Sequence, residues 1–445
     1  MSTPPPTSGT ATSGTTTSGT TTSGTATEHA AEAAARPDGD LSGDPSTTGL
    51  EGVELTDSPF SDFLGFELLL EDDDRELLGR VRAFMNREVE PVINEHWTRG
   101  EFPHELVRGI ADLGIAGLAY DAPGCPARGA LVDGLVAMEL SRVDPSIGTF
   151  MGVHGGLAMG SIALCGSPEQ QQRWLPAMAR LELIGAFGLT EPETGSAISQ
   201  GLSTTARRDG DAWVLNGEKK WIGNASFADL VVVWARDEDD GQVKGFVVEK
   251  DTEGMTFDVQ RDKIALRVVQ NAEIHLRDVR VPEENRLQEA HSFHDTSQVL
   301  RVTRMGVAWQ AAGCARGAYE HALRYTKARE QFGRPIASFQ MVQDLLVKML
   351  SNVTASTAMN VRASQLQVAG LLRDEHASLC KVHSTVRMRE TVGWAREVLG
   401  GNGILLEHHV GRFVADAEAI YSYEGTREIN TLIVGRAITG ESAFV

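Results

Sequence analysis

The stretch AIYSYEGTREIN, residues 419–430, sets one carboxylate, Glu424, directly after an apolar and aromatic run and directly before Gly425 and Thr426. An acid beside Tyr421 and Tyr423 has two explanations. Burial would raise its pKa and make it a usable general base, because desolvation disfavours the charged form. Alternatively, Glu-Gly-Thr suits the capped start of a helix. The stretch by itself leaves both open. Other chemistries are disfavoured by spacing. Cys125, Cys165, Cys314 and Cys380 lie far apart with no CxxC pair, so they read as inert thiols in a reducing compartment. HELVR lacks the second histidine of a zinc helix, and the adjacent His408 and His409 cannot both face one metal from a helix or a strand, so no metal is expected. GGNGILL has Leu406 where a dinucleotide fingerprint needs its last glycine, and there is no P-loop and no G-x-S-x-G elbow. The glycine of DEDDG comes too early for a calcium loop.

The elements that must position Glu424 follow from periodicity. From Glu71, EDDDRELLGRVRAFMNREVEPVINEHW opens with acids suited to a helix N-terminus and then repeats apolar residues at three- and four-residue spacing, a texture that continues to about Leu175. From Gly185 to about Pro282 the period becomes two, with DLVVVWAR and KGFVVEKD on either side of the turn DEDDGQ. Asn216-Gly217 predicts a type I′ hairpin between Trp213 and Trp221, because Asn-Gly readily supplies two positive φ angles. After Asp295 the helical period returns in three long segments closed by a fourth through Ile433, which predicts a helix bundle. The expected organisation is α+β: a tail over 1–60, an N-terminal helical domain over 61–183, a middle antiparallel β domain over 184–293 and a C-terminal four-helix bundle over 294–445.

The tail carries an imperfect TSGTA/TSGTT repeat from Thr7 to Ala26, which cannot bury enough apolar surface to offset chain entropy and is expected to be disordered. Between Glu28 and Asp57 it adds eight acids against Arg36 alone. It has neither the basic start and apolar core of a secretory signal nor the acid-free arginines of a transit peptide, and a final SAFV is no peroxisomal address, so the cytoplasm is expected. The chain has 445 residues, 41% hydrophobic, with 61 acidic against 41 basic residues and a formal net charge of -20. That balance disfavours nucleic acid and anionic membranes as partners. No apolar run is expected to reach the roughly 20 residues of a membrane-spanning helix.

Four stretches, in this order on a helical, β, helical frame, resemble the flavin-dependent acyl-CoA dehydrogenase family from about residue 65 onward: GAFGLTEPETGSAIS from Gly185, KKWIGNASFADLVVVWAR from Lys219, KAREQFGRPIASFQ from Lys327, and REVLGGNGI with YEGTREINTLIVGRAITG. GCPARGALVDGLVAMELSRVDPSIGTFMGVHGGLAM and FHDTSQVLRVTRMGVAWQ are most similar to the glutaryl-CoA dehydrogenase branch and the short-chain acyl-CoA oxidase of plant peroxisomes. The resemblance implies a homotetramer with FAD between the β domain and the C-terminal helices, and a thioester of coenzyme A as substrate. It makes Glu424 the base that removes the α-proton while a β-hydride passes to flavin N5, with the Glu424 N–H and a ribityl hydroxyl holding the enolate oxygen.

Carried over by position, the resemblance places Phe187, Leu189 and Thr190 along the flavin pyrimidine, with the hydroxyls of Thr190 and Ser196 as donors. Trp221, Ile222 and Gly223 pack on the flavin. Arg329 faces the FAD pyrophosphate of a neighbouring subunit, and Phe332 and Gln340 flank the adenine side. Glu397, Gly400 and Gly401 let the backbone approach a phosphate, and Thr426 with Glu428 approaches the FAD phosphates or ribose. Ser196, Thr303, Arg304 and Gly425 line the acyl-CoA channel. Three positions depart from the pattern. Gly223 replaces the usual threonine and leaves only its N–H toward flavin N5, as in the plant oxidase; Ala197 replaces an aspartate; and Gly148 stands where glutaryl-CoA dehydrogenases have the arginine for a distal carboxylate. A buried carboxylate without a partner is costly, so a short neutral acyl chain is expected. The electron acceptor is an electron-transfer flavoprotein, or O2 if the chain is an oxidase; a silent subunit of the same fold would lack the base.

Overall fold

The computed structural model describes residues 62–444. The expected disordered tail, residues 1–60, lies outside the described residues. Helices α1 (Asp72–Phe84), α2 (Glu90–Arg99), α3 (Val107–Leu113), α4 (Ala130–Val143), α5 (Pro145–Met151), α6 (Met159–Cys165) and α7 (Pro168–Ala179) come first. Local chemistry sets several starts. Asp144 accepts the Ile147 N–H with Pro145 at the first helical position, and Ser167 with Gln170 forms a capping box ahead of α7. A π-helical turn, Gly152–Ala158, joins α5 to α6. The resulting run Pro145–Cys165 is 21 residues long with a mean hydropathy of 1.4 in its most apolar window, so one segment does reach membrane-spanning length, contrary to expectation. Its most apolar window is 67% buried inside the protein, as a core helix is.

The middle region holds β1 (Gly185–Gly188), α8 (Ile198–Gly201), β2 (Thr205–Asp209), β3 (Ala212–Ile222), β4 (Leu230–Asp237), β5 (Val243–Glu249), β6 (Met255–Val259) and β7 (Ala272–Pro282). The sheet order is β1-β4-β2-β3-β7-β6, with β5 on β4. The β4–β5, β2–β3, β3–β7 and β6–β7 pairs are antiparallel as expected, but β1 and β2 both run parallel to β4, so the sheet is mixed.

The Asn216-Gly217 hairpin does not form. Residues 212–222 are one strand, and the turn lies earlier, with Asp209 paired to Ala212. Asn216-Gly217 instead makes a break in register against β7. The Asn216 amide bonds both the side chain and the N–H of Asp278, at 3.1 and 2.8 Å. A Cβ at Gly217 would lie 2.7 Å from Thr204 Cα, so the glycine admits a close crossing of chains rather than a reversal.

The C-terminal region is α9 (Phe293–Ala328), the two-residue strands β8 (Glu330–Gln331) and β9 (Arg334–Pro335), α10 (Gln340–Val368), α11 (Asp374–Val398), α12 (Val410–Ser422) and α13 (Arg427–Thr439). The expected fourth segment is therefore two helices, broken at Tyr423–Thr426. One apolar core joins the N-terminal helices to α9 and one face of the sheet; a second fills the other face; a third lies among α9, α10, α11 and α12.

Candidate active site

Glu424 sits in the break between α12 and α13. The cap of α13 is Thr426, whose hydroxyl accepts the Ile429 N–H at 3.3 Å, so Glu424 is not the capping acid. Glu424 has φ +52 and Gly425 φ +87. The left-handed conformation costs a non-glycine residue about 1–2 kcal/mol, and it persists only where the surroundings hold it. Several groups do. Arg412 of α12 forms a fully buried ion pair with Asp144, the residue that caps α5, and donates to the Val143 carbonyl at 3.0 Å. The Tyr423 hydroxyl donates to Gln310 Oε1 at 2.5 Å and lies 3.5 Å from the Thr149 hydroxyl of α5. Gln310 Nε2 in turn donates to the Gly148 carbonyl at 3.1 Å.

The Glu424 side chain has one oxygen, Oε2, that is buried and without a hydrogen-bond partner. Burial pushes its pKa up; the Thr303 hydroxyl, Lys381 and Arg304 pull it back. Among the described residues nothing accepts from the Glu424 N–H. Arg304 has an equally orphaned Nε, and its burial lowers its pKa against the pull of Glu424. Thr303 is buried on α9, and a Cβ at Gly156 would sit 3.6 Å from its methyl group, which places the π-helical turn opposite. The Tyr120 hydroxyl closes this side by donating to the Gly156 carbonyl at 2.8 Å.

A second set of predicted residues meets the far side of α5. Phe187 and Leu189 are buried at the end of β1. The Leu189 carbonyl accepts from Lys219 Nζ at 3.2 Å, and the Thr190 carbonyl from the Lys220 N–H at 2.8 Å. Lys219 is fully buried and paired with Glu191 at 2.8 Å. That ammonium, with the Ser203 and Thr204 donors, holds the Glu191 carboxyl down to about 2. Trp221 is 56% exposed and has φ +64, with its carbonyl accepting from Asn271 Nδ2 at 3.2 Å. Ile222 is buried behind it. A Cβ at Gly223 would stand 3.1 Å from Val153 Cγ2, so the glycine seats this turn against the π-helical segment. Asn224 then bonds the carbonyls of Phe150 and Gly185, at 3.2 and 3.4 Å. Thr149 and Phe150, neighbours on α5, therefore link the Glu424 loop to the strand end.

The residues fit a planar aromatic cofactor at this junction. The Trp221 indole is more than half exposed, and among the described residues the Thr190 hydroxyl, the Glu424 N–H and Glu424 Oε2 have no hydrogen-bond partner. Ser196 lies exposed on the loop after Thr190. The remaining predicted residues do not gather here within one chain. Arg329, Phe332 and Gln340 are exposed around the β8–β9 hairpin, and Glu397, Gly400 and Gly401 are exposed at the end of α11. None of these makes a hydrogen bond, ion pair or ring contact with the strand-end set. Glu428 is exposed and paired with Arg427, a residue for which the sequence suggested no duty.

Sequence reasoning missed Lys381, Gln310, Asn224, Asn271 and the Lys219–Glu191 pair. For Lys381 a signal existed. It falls on the buried face of α11, four residues from Ala377 and from Thr385, where the period calls for a small or apolar side chain. A separate group, Glu90, His321 and His409, brings potential ligand atoms within 4.8 Å of one another. Its two imidazoles stack at 4.5 Å and 20°, so their in-plane lone pairs do not converge on one ion. Burial, Arg324 and Arg412 hold both rings below the usual histidine range.

Three family profiles match in order: acyl-CoA dehydrogenase N-terminal domain over 71–182, middle domain over 186–279 and C-terminal domain over 293–439. The mitochondrial short-chain specific acyl-CoA dehydrogenase of Mus musculus is 33% identical over 373 residues, covering 82% of this chain and 90% of that protein. A glutaryl-CoA dehydrogenase structure from Mycobacterium smegmatis superposes with a TM-score of 0.83 at 39% identity, covering 86% of this chain and 99% of that one. A glutaryl-CoA dehydrogenase structure from the same organism in complex with FADH2 gives 0.83 at 34% identity, with 86% and 98% coverage.

Proposed function

The chain belongs to the acyl-CoA dehydrogenase family, and from that premise we propose that it converts a short, neutral acyl-CoA to the trans-2-enoyl-CoA with Glu424 as general base. FAD is the cofactor of the family and, when bound, supplies the acceptor for the β-hydrogen and its electron pair. The chain's own residues do the rest. Glu424 Oε2 takes the α-proton. A thioester α-proton is far too weakly acidic for a carboxylate in water, so the base must be raised in pKa while the enolate is stabilised. The Glu424 N–H supplies a donor for the enolate oxygen. Phe187, Leu189, Thr190, Trp221 and Gly223 are the residues that would hold and orient the cofactor.

One observation carries this reading: Glu424 has a buried carboxylate oxygen with no partner and a pKa pushed up by burial. Most buried side-chain polar atoms have a partner, and among the described residues Asp416 Oδ2 is the one other buried carboxylate oxygen left without one. The short neutral acyl chain is supported by the short-chain relative and by Gly148, where a Cβ would lie 2.2 Å from the Ser141 hydroxyl. An arginine there would have to displace Ser141, and a distal carboxylate would lack its counterion. Electrons leave to an electron-transfer flavoprotein. Gly223 favours one second reading, an acyl-CoA oxidase that uses the same residues and passes electrons to O2.

The test is anaerobic addition of butyryl-CoA to the yellow protein. Bleaching of the flavin absorbance is expected, and its absence with every saturated acyl-CoA would sink the enzymatic reading. Repetition in air with a peroxide assay separates dehydrogenase from oxidase. Glu424→Gln is expected to bind butyryl-CoA and to slow reduction by about 10²–10⁴-fold. Near-normal reduction by that variant would remove Glu424 from the reaction.

A further inference from the structure

Lys381, on α11, is 1% exposed, yet among the described residues it pairs with no carboxylate. Its Nζ donates to two main-chain carbonyls, those of Tyr423 and Gly425. These are the residues on either side of Glu424. Other restraints on the loop are one-sided. Asn430 Nδ2 donates to the Gly425 and Thr426 carbonyls at 2.8 and 3.1 Å, while the Tyr423 N–H merely finishes α12 on the Ala419 carbonyl. Among the described residues only Lys381 grips the loop both before and after the base. The place it holds is the strained one, with φ +52 and then +87.

Packing alone does not explain a lysine here. A buried ammonium without a hydrogen-bonded carboxylate is expensive, and a methionine would fill the same volume without that cost. Burial brings its pKa down to about 7; Glu424 and Glu428 raise it, and Arg304 lowers it. Its charge in turn favours the ionised form of Glu424, together with Arg304 and the Thr303 hydroxyl of α9. The groups facing the pair are thus Arg304 and Thr303 from α9, Glu428 from α13, Tyr423 from the loop, and Tyr120, which senses the Glu424 charge from before α4.

We propose that Lys381 is a positioning residue for proton abstraction: its ammonium clamps the carbonyls flanking Glu424, fixing the direction of the carboxylate and of the Glu424 N–H, and its charge keeps the base ionisable. The proposal rests on the reading of Glu424 as base. It assigns Lys381 no contact with substrate or cofactor.

The test compares wild type with Lys381→Met in the FAD-loaded protein. Two readouts keep the clamp and the base separable. Amide hydrogen exchange at Tyr423, Ile429 and Asn430, whose N–H groups bond to Ala419 and Thr426 on either side of the base, reports the clamp without turnover; it is expected to accelerate at least about tenfold, and unchanged exchange overturns the clamp. Anaerobic flavin reduction by butyryl-CoA reports the chemistry. Its rate is expected to fall by about 10²-fold, the scale of a misplacement near 1 Å, with little change in the butyryl-CoA concentration for half-saturation. The acid limb of its pH profile is expected to move to higher pH, because the cation that favours ionised Glu424 is gone. A packing role alone would lower Tm and leave that limb in place, so an unmoved limb overturns the electrostatic half. If wild type itself is never bleached, the base reading fails while the exchange result still decides the clamp. Should Lys381→Met lose its FAD, Lys381→Gln restores an N–H donor group without the charge. It is expected to recover part of the exchange protection and to keep the shifted limb; wild-type behaviour in both would overturn the proposal.

Discussion

A carboxylate serves as a base toward a carbon acid when water is kept from it and its main chain is held still, and single residues supply each condition at Glu424. Water is excluded from Oε2 by burial, which raises the pKa, and Thr303 moderates the rise through its hydroxyl. The rate of flavin reduction is therefore expected to fall on acidification at a pH above the ordinary carboxylate value of about 4.3, since only the ionised base accepts the proton. Thr303→Val removes a group that pulls the pKa down, so its acid limb is expected at higher pH; a limb that does not move would show that the hydroxyl does not reach the charge. Gly425 supplies the second condition. A Cβ there would stand 3.0 Å from Asn430 Nδ2 at φ +87, so Gly425→Ala is expected to lose about 1–3 kcal/mol in denaturant unfolding, and an unchanged midpoint would count against a fixed loop. Much of this was open to a reader of the sequence, because Glu-Gly-Thr after an aromatic run is a short list of possibilities. What could not be read was which residue caps the helix. Thr426 does, and the choice depends on φ angles that no residue type fixes.

At the level of elements, period told the helical stretches from the strand-forming middle, since that signal is local. The failures are places where distant chain decides. Asn216-Gly217 carries every local mark of a hairpin, but Asp278 and Thr204 turn it into a break in register, and both lie outside any window centred on it. The same holds for His154, which looks like one polar residue in GVHGGLA and proves to join the π-helical turn to β1. The Gly185 N–H donates to its Nδ1 at 3.0 Å, so Nε2 carries the proton and donates to the Met178 carbonyl at 3.0 Å. Protonating Nδ1 would break the first bond, and burial lowers the pKa from 6.5 to about 4. A histidine depressed in the fold contributes stability above its unfolded pKa and loses it as pH falls toward the folded value. Between pH 6.5 and 4 the wild type is expected to lose on the order of 3 kcal/mol from this group. His154→Gln can keep an acceptor for Gly185 and a donor for Met178 without titrating, so its melting temperature should fall less over that range. Parallel slopes for the two proteins would refute the assignment.

At the scale of the molecule, one part of the expected cofactor site is left uncovered by the described residues. Phe332 is 92% exposed and has φ +53, so an apolar ring in water is combined with a strained backbone; nearby Met341 is 84% exposed. Phe339 meets the Phe332 ring only at its edge, with centroids 5.9 Å apart. Strain and exposure together are unfavourable unless something covers the hairpin. Arg329 and Gln340 share that surface, while Gly223 and the half-exposed Trp221 lie by the π-helical turn that follows α5. The family resemblance implies a homotetramer in which a second copy of the chain would cover the hairpin, and Arg329, Phe332 and Gln340 would then complete the FAD site of that copy. Assembly and cofactor retention are then one equilibrium, because each copy supplies part of its neighbour's site. Phe332→Ser is expected to lower the mass seen by light scattering at micromolar concentration and to release FAD, weakening its binding at least about tenfold, or ~1.4 kcal/mol. Arg329→Ala is expected to release FAD while leaving the assembly intact, since it removes a charge rather than the apolar cover. A wild-type protein that holds full FAD at the mass of a single chain would overturn the shared site and return Phe332 to the status of a strained surface residue.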